Sequence, residues 1–244
     1  MTGQQKALVL WDVDHTLIEN GGVSKLNYAL AFELLTGAPP EVRAATDGRT
    51  DVEIMENLWR DNDLWESLPT VAEREAALAE AGERNRPLLA ERGHALPGAE
   101  AVVVRMAGMS DVISSVLTGN IPSNARIKLG AFGLDQYVDF EAGAFGNEHR
   151  VRAQLVPIAQ AKAEQLRGFD RETMPTILVG DTVRDVNAGL GGGARVIAVA
   201  SGVDSVEVLE GSGADAVLPS LADVDAFFEA FERVRALGPA PVRL

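Results

Sequence analysis

The chain has no cysteine in its 244 residues, and it has only three histidines. Disulfide bonds and thiolate metal sites are therefore excluded, and a zinc centre that depends on several histidines is not expected. A metal site in this chain would have to use oxygen ligands, which favours Mg²⁺ or Mn²⁺.

Positive charge is also scarce, since 22 lysines and arginines stand against 36 aspartates and glutamates, for a formal net charge of -14. The sequence contains no basic stripe, so nucleic acid is not an expected partner. An acidic surface repels anions at long range, so any anion-binding site in this chain must be local.

The sequence has no apolar run long enough to span a bilayer, so we expect no membrane partner. Residues 1–6 show no signal-peptide pattern, because the apolar run that follows them is too short. We therefore expect a cytoplasmic protein. The sequence does not indicate an oligomeric state.

Short apolar runs alternate with segments of helical spacing over most of the chain. The predicted strands lie at about residues 7–11, 111–117, 137–140, 176–179, 195–199 and 216–218, with helices between them. Repeated alternation of this kind predicts a parallel sheet covered by helices on both faces. The fold class that we expect is α/β, with a doubly wound, Rossmann-like core.

One stretch departs from this alternation. Residues 20–94 contain three predicted helices, at about 23–35, 53–59 and 71–89, and no predicted strand. We therefore predict a core formed by residues 1–19 and 95–244, with a helical cap inserted at residues 20–94.

Three of the predicted strands end in polar residues suited to a metal and a phosphate group. The first is followed by Asp12 and Asp14, the second by Thr118, Gly119 and Asn120, and the third by Asp181 and, one helical turn later, Asp185. Each group alone is compatible with a solvated loop or a helix cap. Because the carboxyl ends of parallel strands meet at one edge of the sheet, the three groups together favour a common site.

Asp12 and Asp14 carry the chemistry of this site. Two carboxylates so close together repel each other, so a cation is expected near them. An aspartate nucleophile assisted by Mg²⁺ is one established arrangement for phosphoryl transfer. The competing interpretation is a solvated loop that caps the next helix.

The ordered set of motifs resembles the haloacid dehalogenase-like hydrolase superfamily, in its phosphatase branch. Residues 12–17 (DVDHTL) match the first motif, residues 118–120 (TGN) resemble the second, and residues 180–185 (GDTVRD) match the fourth. The helical insertion is similar to the small cap of this superfamily. The branch that looks most similar contains phosphoglycolate phosphatases and β-phosphoglucomutases.

The resemblance implies a role for each of these residues. Asp12 would be the nucleophile that forms an aspartyl-phosphate, and Asp14 would be the general acid and base. Thr118 would bind phosphate oxygens, together with Gly119 and Asn120. The Mg²⁺ ligands would be Asp12, the backbone carbonyl of Asp14, Asp181 and, directly or through water, Asp185. The alternative for Asp185 is an exposed acid at a helix N-terminus.

The third motif of the family, a cation that neutralises phosphate and nucleophile, is the weakest match. Related enzymes carry a lysine in a Lys-Pro-x-Pro segment, which this chain lacks. We favour Arg152, whose distance from both flanking motifs fits best, and an arginine can also bind phosphate through two nitrogens. Lys128 and Arg150 are alternatives, and each of the three could be an ordinary surface residue.

Two further residues are candidates for contact with the substrate. His15 stands where the relatives usually have glycine, and we favour a plain loop residue over a contact with substrate. Arg49 lies in a break between two predicted helices, at residues 47–51. This break resembles the cap loop that related enzymes place over the active site, where Arg49 would meet an anionic part of the substrate. A plain turn between helices, with Thr50 or Asp51 as the N-cap of the second helix, is the alternative.

The expected function is Mg²⁺-dependent hydrolysis of a small phosphate monoester, phosphoglycolate-like or a sugar phosphate. The expected partner is thus a small phosphorylated metabolite. A phosphomutase that uses the same Asp12 intermediate is the main alternative. A 2-haloacid dehalogenase is disfavoured because the pattern of those enzymes lacks the second acid, Asp14. A non-catalytic binding protein is disfavoured because all four motif acids are present.

Overall fold

The computed structural model describes residues 6–46 and 48–241. Asp47, which belongs to the predicted cap loop, lies outside the described residues. The strands are β1 (Ala7–Trp11), β2 (Ile18–Glu19), β3 (His94–Ala95), β4 (Val112–Leu117), β5 (Asp139–Ala144), β6 (Thr176–Gly180), β7 (Arg195–Val199) and β8 (Ala216–Leu218). The α-helices are α1 (Val23–Thr36), α2 (Asp51–Asp61), α3 (Val71–Arg92), α4 (Ala99–Ala107), α5 (Pro122–Gly130), α6 (Leu155–Arg167), α7 (Val183–Gly192), α8 (Val206–Gly211) and α9 (Val224–Arg235).

Six of the strands form one sheet in the order β5-β4-β1-β6-β7-β8, and every pairing in it is parallel. The predicted doubly wound α/β core is therefore confirmed. The chain builds outward from β1 to β4 and β5 on one side, and then crosses to β6 on the other. A crevice opens at such a reversal point, at the carboxyl ends of the strands.

Strand β1 is fully buried because helices cover both of its faces. Leu8 and Leu10 pack on one side with apolar residues of α6. Val9 and Trp11 pack on the other side with residues of α4 and α9. A strand that is buried twice carries apolar residues at every position, which is why the sequence shows a continuous run here.

The segment between β2 and β3 contains three helices, α1 to α3, as the sequence predicts. Strands β2 and β3 pair antiparallel, with Ile18 beside Ala95 and Glu19 beside His94. The chain therefore enters and leaves the helical segment through one two-stranded ribbon. The division into core and cap at residues 19/20 and 94/95 stays a prediction, and this ribbon lies at both of its limits.

The helical segment has an apolar cluster of its own. Phe32, Trp59 and Leu78 are almost fully buried in it, and the rings of Phe32 and Trp59 lie 4.6 Å apart between centroids. Ile121, from the segment that follows β4, is part of the same cluster. The apolar contacts of the cap thus continue into the core beside the candidate site.

Some element bounds differ from the predicted ones. The apolar spacing predicts a short helix at about residues 125–132, but helix α5 begins at Pro122, because proline at the first position of a helix needs no hydrogen-bond acceptor. The spacing also predicts a long helix at about residues 151–166, whereas helix α6 begins at Leu155, after a 3-10 turn at Arg152–Gln154. Strand β5 runs four residues further than predicted, through alanines and a glycine that carry little strand propensity.

None of the helices in the described part of the chain combines the length and the apolar character needed to cross a membrane.

Candidate active site

The three polar strand ends meet in one place. In the sheet, Trp11 at the end of β1 lies beside Val116 of β4 and Val179 of β6. Asp12, Thr118 and Asp181 therefore leave the same edge of the sheet side by side. They line a cavity of about 60 Å³ whose opposite wall comes from the helical segment, with Tyr28, Arg49, Asp51 and Ile54.

Three buried carboxylates form a cluster beside this cavity, and two of them, Asp12 and Asp181, line it. Ligand atoms of Asp12, Asp181 and Asp185 all lie within 4.8 Å of one another. Burial raises the pKa of Asp12 to about 6, although the nearby Arg152 opposes the rise. Burial, and then repulsion by Asp185 and Asp12, raises the pKa of Asp181 well above its usual range. Burial and mutual repulsion therefore both disfavour the ionised form of these two carboxyl groups.

Asp185 combines a cap with a place in the cluster. One of its carboxylate oxygens accepts hydrogen bonds from the backbone N–H and the hydroxyl of Thr182, at 3.0 and 2.6 Å, which caps helix α7. The residue is 0% exposed. The alternative prediction was an exposed acid at a helix N-terminus. Asp185 does lie in the first turn of α7, but it is buried, so the predicted exposure is wrong.

Arg152 is the cation of the carboxylate cluster. Its Nη2 atom lies 2.9 Å from Oδ1 of Asp12 and 2.5 Å from Oδ1 of Asp185. The side chain is 9% exposed, so this contact is largely shielded from solvent. The 3-10 turn before α6 brings Arg152 to the cavity, where the sequence favoured it.

Asp14 lies in the same cavity but faces away from the cluster. Its carboxylate accepts hydrogen bonds from Lys128, Asn120 and Asn20 at 2.6 to 2.8 Å. Burial alone would raise its pKa, but the ammonium group of Lys128 and these hydrogen bonds lower the pKa of Asp14 to about 2. These donors occupy the carboxylate, which is consistent with the prediction that Asp14 would bind a metal through its backbone carbonyl.

The structure separates the three cations that the sequence left open. Lys128 is 4% exposed and binds Asp14, whereas Arg152 binds Asp12. Arg150 has a side chain that is 55% exposed, and it pairs with Glu56 of α2 at 3.2 Å instead of lining the cavity. Two cations thus belong to the site, one for each acid of the first motif.

The second motif forms a tight loop beside these acids. The hydroxyl oxygen of Thr118 accepts hydrogen bonds from the backbone N–H and the side-chain amide of Asn120, at 3.3 and 2.7 Å. Among the described residues no acceptor takes the hydroxyl hydrogen of Thr118, which leaves it free for a phosphate oxygen. Gly119 lines the same cavity.

Arg49 lies on the cap side of the cavity, as the sequence suggested. Its Nε atom pairs with Glu53 at 3.3 Å, and the side chain is 24% exposed. Its carbonyl oxygen would lie 2.1 Å from a Cβ atom placed on Gly119, so the loop sits directly on the second motif. Thr50 also caps α2, as the plain-turn interpretation predicted. The segment therefore caps a helix and also places Arg49 at the cavity.

His15 lines the cavity with a left-handed backbone, at φ 60°. Its Nδ1 atom lies 2.9 Å from a carboxylate oxygen of Glu19, and Ser201 donates a hydrogen bond to its carbonyl oxygen at 2.6 Å. Glycine adopts this conformation without strain, which explains why a glycine is expected at this position.

Several residues of the site were not predicted. Thr16 donates a hydrogen bond to Asp181 at 3.0 Å, and it stands in the first motif, so its position was a usable signal. Asn20 comes from the start of the helical segment and Asp51 from the start of α2, and both reach the site only through the tertiary fold. No sequence spacing connects them with the strand ends.

The carboxylate cluster suits a hard divalent cation. All candidate ligand atoms are oxygens, and Asp12, Asp181 and Asp185 are buried around one point. Among the residues that the structure describes, Arg152 is the one cation paired with this cluster. Oxygen ligands of this kind fit Mg²⁺ or Mn²⁺ and do not favour zinc.

Comparison with known families agrees with this geometry. A family model described as HAD-hydrolase-like matches residues 153–224, the part of the chain that carries Asp181 and Asp185. The fold and this match confirm the resemblance to the haloacid dehalogenase-like hydrolases that the motifs indicated.

Solved structures extend the likeness to the whole chain at the level of fold. A predicted phosphatase from Clostridium acetobutylicum is 18% identical with a TM-score of 0.63, and the match covers 94% of this chain and 99% of that one. A predicted phosphoglycolate phosphatase from Haemophilus somnus is 15% identical with a TM-score of 0.60, over 93% and 100%. A candidate β-phosphoglucomutase from Bacteroides vulgatus is 17% identical with a TM-score of 0.64, over 96% and 92%. Among curated protein sequences the comparison finds no significant match.

Proposed function

We propose that the protein is a Mg²⁺-dependent phosphatase that hydrolyses a small phosphate monoester through an aspartyl-phosphate on Asp12. The observation that carries this proposal is the position of Asp12 in a cavity between the sheet edge and the helical segment. There it lies beside a buried arginine, a hydroxyl with a free hydrogen and two further buried carboxylates. This arrangement suits the binding of a phosphate group and attack on its phosphorus.

In the first step a carboxylate oxygen of Asp12 attacks phosphorus, and the bond from phosphorus to the ester oxygen breaks. Arg152 reduces the repulsion between the carboxylate and the incoming phosphate. The leaving alkoxide takes a proton through Asp14, which lines the same cavity. Because Lys128 holds Asp14 as a carboxylate, this proton comes from the monoanionic form of the bound phosphate ester. The products of this step are the free alcohol and the aspartyl-phosphate.

In the second step Asp14 acts as the base. Lys128 and two asparagines hold Asp14 as a carboxylate, which is the state that can accept a proton from water. The water oxygen then attacks phosphorus, and the carboxylate of Asp12 leaves. Inorganic phosphate is released and Asp12 is restored.

We assign the metal site to Asp12, Asp181 and Asp185, together with the backbone carbonyl of Asp14. The carboxylate cluster and the all-oxygen donor set support this assignment. When bound, Mg²⁺ would offset charge between the Asp12 carboxylate and the phosphate oxygens. Thr118, Gly119 and Asn120 would hold those oxygens from the other side.

The dimensions of the site favour a small substrate. A cavity of about 60 Å³ has room for on the order of five water molecules, comparable to a phosphate group, and it opens on one side to solvent, where a leaving group can extend. Arg49 would meet an anionic part of that leaving group. We therefore propose a small phosphorylated metabolite, phosphoglycolate-like or a sugar phosphate, as the substrate in the cytoplasm.

Release of inorganic phosphate from a panel of phosphorylated metabolites, with and without Mg²⁺, tests this proposal. We expect turnover that EDTA abolishes, and a loss of at least about 1,000-fold in Asp12→Asn, because the nucleophile is removed. Asp225→Asn, at an exposed surface aspartate, is the matched control and should retain turnover. Turnover by Asp12→Asn close to that of the wild type would disprove the mechanism.

A phosphomutase is the second candidate function. It is supported by the likeness in fold to the candidate β-phosphoglucomutase. A mutase would form the same intermediate on Asp12 and return the phosphoryl group to a sugar instead of water. Sugar phosphates that are converted to an isomer with little release of phosphate would favour this second function.

A further inference from the structure

Asp51 is a buried acid of the helical segment that contacts the core directly. It is the first residue of α2 and is 2% exposed. Its backbone N–H donates a hydrogen bond to the carbonyl of Gly119 at 2.7 Å. Its Oδ2 atom accepts a hydrogen bond from the backbone N–H of Ile121, also at 2.7 Å.

These two hydrogen bonds lie on either side of Asn120. Asp51 therefore fixes the backbone of the second-motif loop both before and after this residue. From the core side, the loop is held by Thr118 N–H, which donates to Ala144 at 3.1 Å, and by Asn120, whose carbonyl accepts from Gly146 at 2.9 Å. The loop that carries Thr118 is thus held between the core and a residue of the cap.

Glycines allow the backbones to come this close. A Cβ atom on Gly119 would lie 2.1 Å from the carbonyl oxygen of Arg49, and a Cβ atom on Gly146 would lie 1.7 Å from the carbonyl oxygen of Gly119. Real Cβ atoms do not approach other atoms at such distances. Three stretches of backbone are therefore in direct contact at this point.

Tyr28 of α1 fixes the side chain of Asp51. Its hydroxyl donates to Oδ1 of Asp51 at 2.5 Å, so both carboxylate oxygens have a defined donor. The carboxylate is held by two hydrogen bonds and the backbone of the residue by a third, so the side chain has little freedom to turn. Asp51 therefore holds the backbone of Gly119 and Ile121 in a fixed position.

We propose that Asp51 is a positioning residue for the phosphate-binding loop formed by residues 118–121. The proposal rests on the proposed function, because it takes this loop as the one that binds phosphate. Its consequence is that the cap completes the phosphate site itself, in addition to any contact it makes with the leaving group.

Ligands without a leaving group separate these two contributions. Orthovanadate and inorganic phosphate resemble only the phosphate group of the substrate. A cap residue that contacts the leaving group alone would therefore not affect their binding. We expect Asp51→Ala to weaken inhibition by both ions at least about tenfold, because the loop loses its acceptor for the Ile121 N–H. Asp51→Asn keeps a carbonyl oxygen for this N–H and should stay within about threefold of the wild type.

Asp61→Ala is the matched control, because Asp61 is an exposed acid at the other end of α2. It should bind both ions like the wild type. Tyr28→Phe removes only the hydroxyl that orients Asp51, and we expect a loss of at least about twofold. If Asp51→Ala does not fold, Tyr28→Phe tests the proposal in its place. Weaker inhibition in Tyr28→Phe would then support the positioning role of Asp51, and inhibition equal to that of the wild type would overturn it.

Equal inhibition of the wild type and a folded Asp51→Ala would overturn the proposal and leave the phosphatase function standing. Failure of vanadate and phosphate to inhibit the wild type, together with no phosphate release from any substrate, would overturn the function itself. Weaker inhibition in Asp51→Ala with near-normal inhibition in Asp51→Asn is the supporting result.

Discussion

The Nη2 atom of Arg152 lies 2.9 Å from the carboxylate of Asp12, the proposed nucleophile. The same nitrogen lies 2.5 Å from Asp185. One guanidinium group thus connects the end of β1 with the start of α7. Since both carboxylates are buried, this contact affects the stability of the protein as well as its chemistry.

Arg152→Met should therefore abolish most of the activity and also destabilise the protein. We expect a loss in kcat/KM of at least about 100-fold, and a loss of about 3 kcal/mol in the free energy of unfolding without metal. Arg152→Lys keeps the positive charge but not the planar guanidinium group, so its activity should lie between that of the wild type and that of Arg152→Met. Phosphate release and denaturant unfolding in EDTA measure the two effects.

Mg²⁺ offers a second measurement on the same variant. With one positive charge removed from the cluster, Mg²⁺ should raise the melting temperature of Arg152→Met more than that of the wild type. An equal shift in both proteins would contradict the placement of the metal beside Arg152.

The buried pair of Lys128 and Asp14 provides a second prediction. Lys128→Met leaves Asp14 as a buried acid without its cation, which should lower the free energy of unfolding by about 3–5 kcal/mol. The double variant Asp14→Asn/Lys128→Met has no unpaired charge and should recover most of this loss, although it stays inactive. Denaturant unfolding of the two single variants and the double variant measures the coupling. Additive losses would show that the pair is not coupled.

The pH dependence of stability should reveal the burial of Asp51. Burial raises its pKa to about 6, above the ordinary value of 3.8 that it has in the unfolded chain. The folded state therefore holds this proton more tightly, and the contribution of Asp51 to stability decreases as the pH rises from about 4 to about 6.

Asp51→Asn does not titrate, so the difference between variant and wild type isolates this effect. The difference in free energy of unfolding should move in favour of Asp51→Asn between about pH 4 and 6.5, by on the order of 2–3 kcal/mol, and then level off. Urea unfolding at several pH values measures it. A difference that does not change with pH would mean that Asp51 has an ordinary pKa.

The left-handed backbone at His15 leads to a comparison of glycine with alanine. Glycine tolerates φ 60° and alanine does not, so His15→Gly should be more stable than His15→Ala by about 1 kcal/mol. Asp63 has φ 59° and does not line the cavity, so the same pair of substitutions there is the control. Thermal or denaturant unfolding of the four variants measures the effect.

Activity then tests the plain-loop interpretation of His15. Under that interpretation we expect His15→Gly to keep kcat/KM within about threefold of the wild type. A much larger loss in His15→Gly, with an unchanged Asp63→Gly, would assign the imidazole to substrate contact instead.

The sequence was sufficient for the parts of the site that follow from strand ends. Asp12, Thr118 and Asp181 each come directly after a buried strand, and parallel strands bring such positions to one edge. Element type and order were predictable for the same reason, since apolar periodicity reflects burial. The short strands β2 and β3 were not predicted, because two residues carry no periodicity.

The assignment of cations required the structure. Arg152 and Lys128 lie on different helical elements, and only the packing shows that each faces a different acid. Asp51 was noted only as a possible helix cap, since its partners Gly119 and Ile121 are about 70 residues away. Contacts of this kind depend on how the helical segment packs on the core, which no local pattern encodes.

The antiparallel pairing of Glu19 with His94 has an evolutionary consequence. Directly paired residues lie about 5 Å apart, so a short turn could join these two positions in place of the whole helical insertion. Recombination could thus exchange one insertion for another and alter which alcohol is released, while the strand ends are inherited unchanged. Such an exchange would succeed only if the new insertion also supplies an acceptor for the N–H of Ile121.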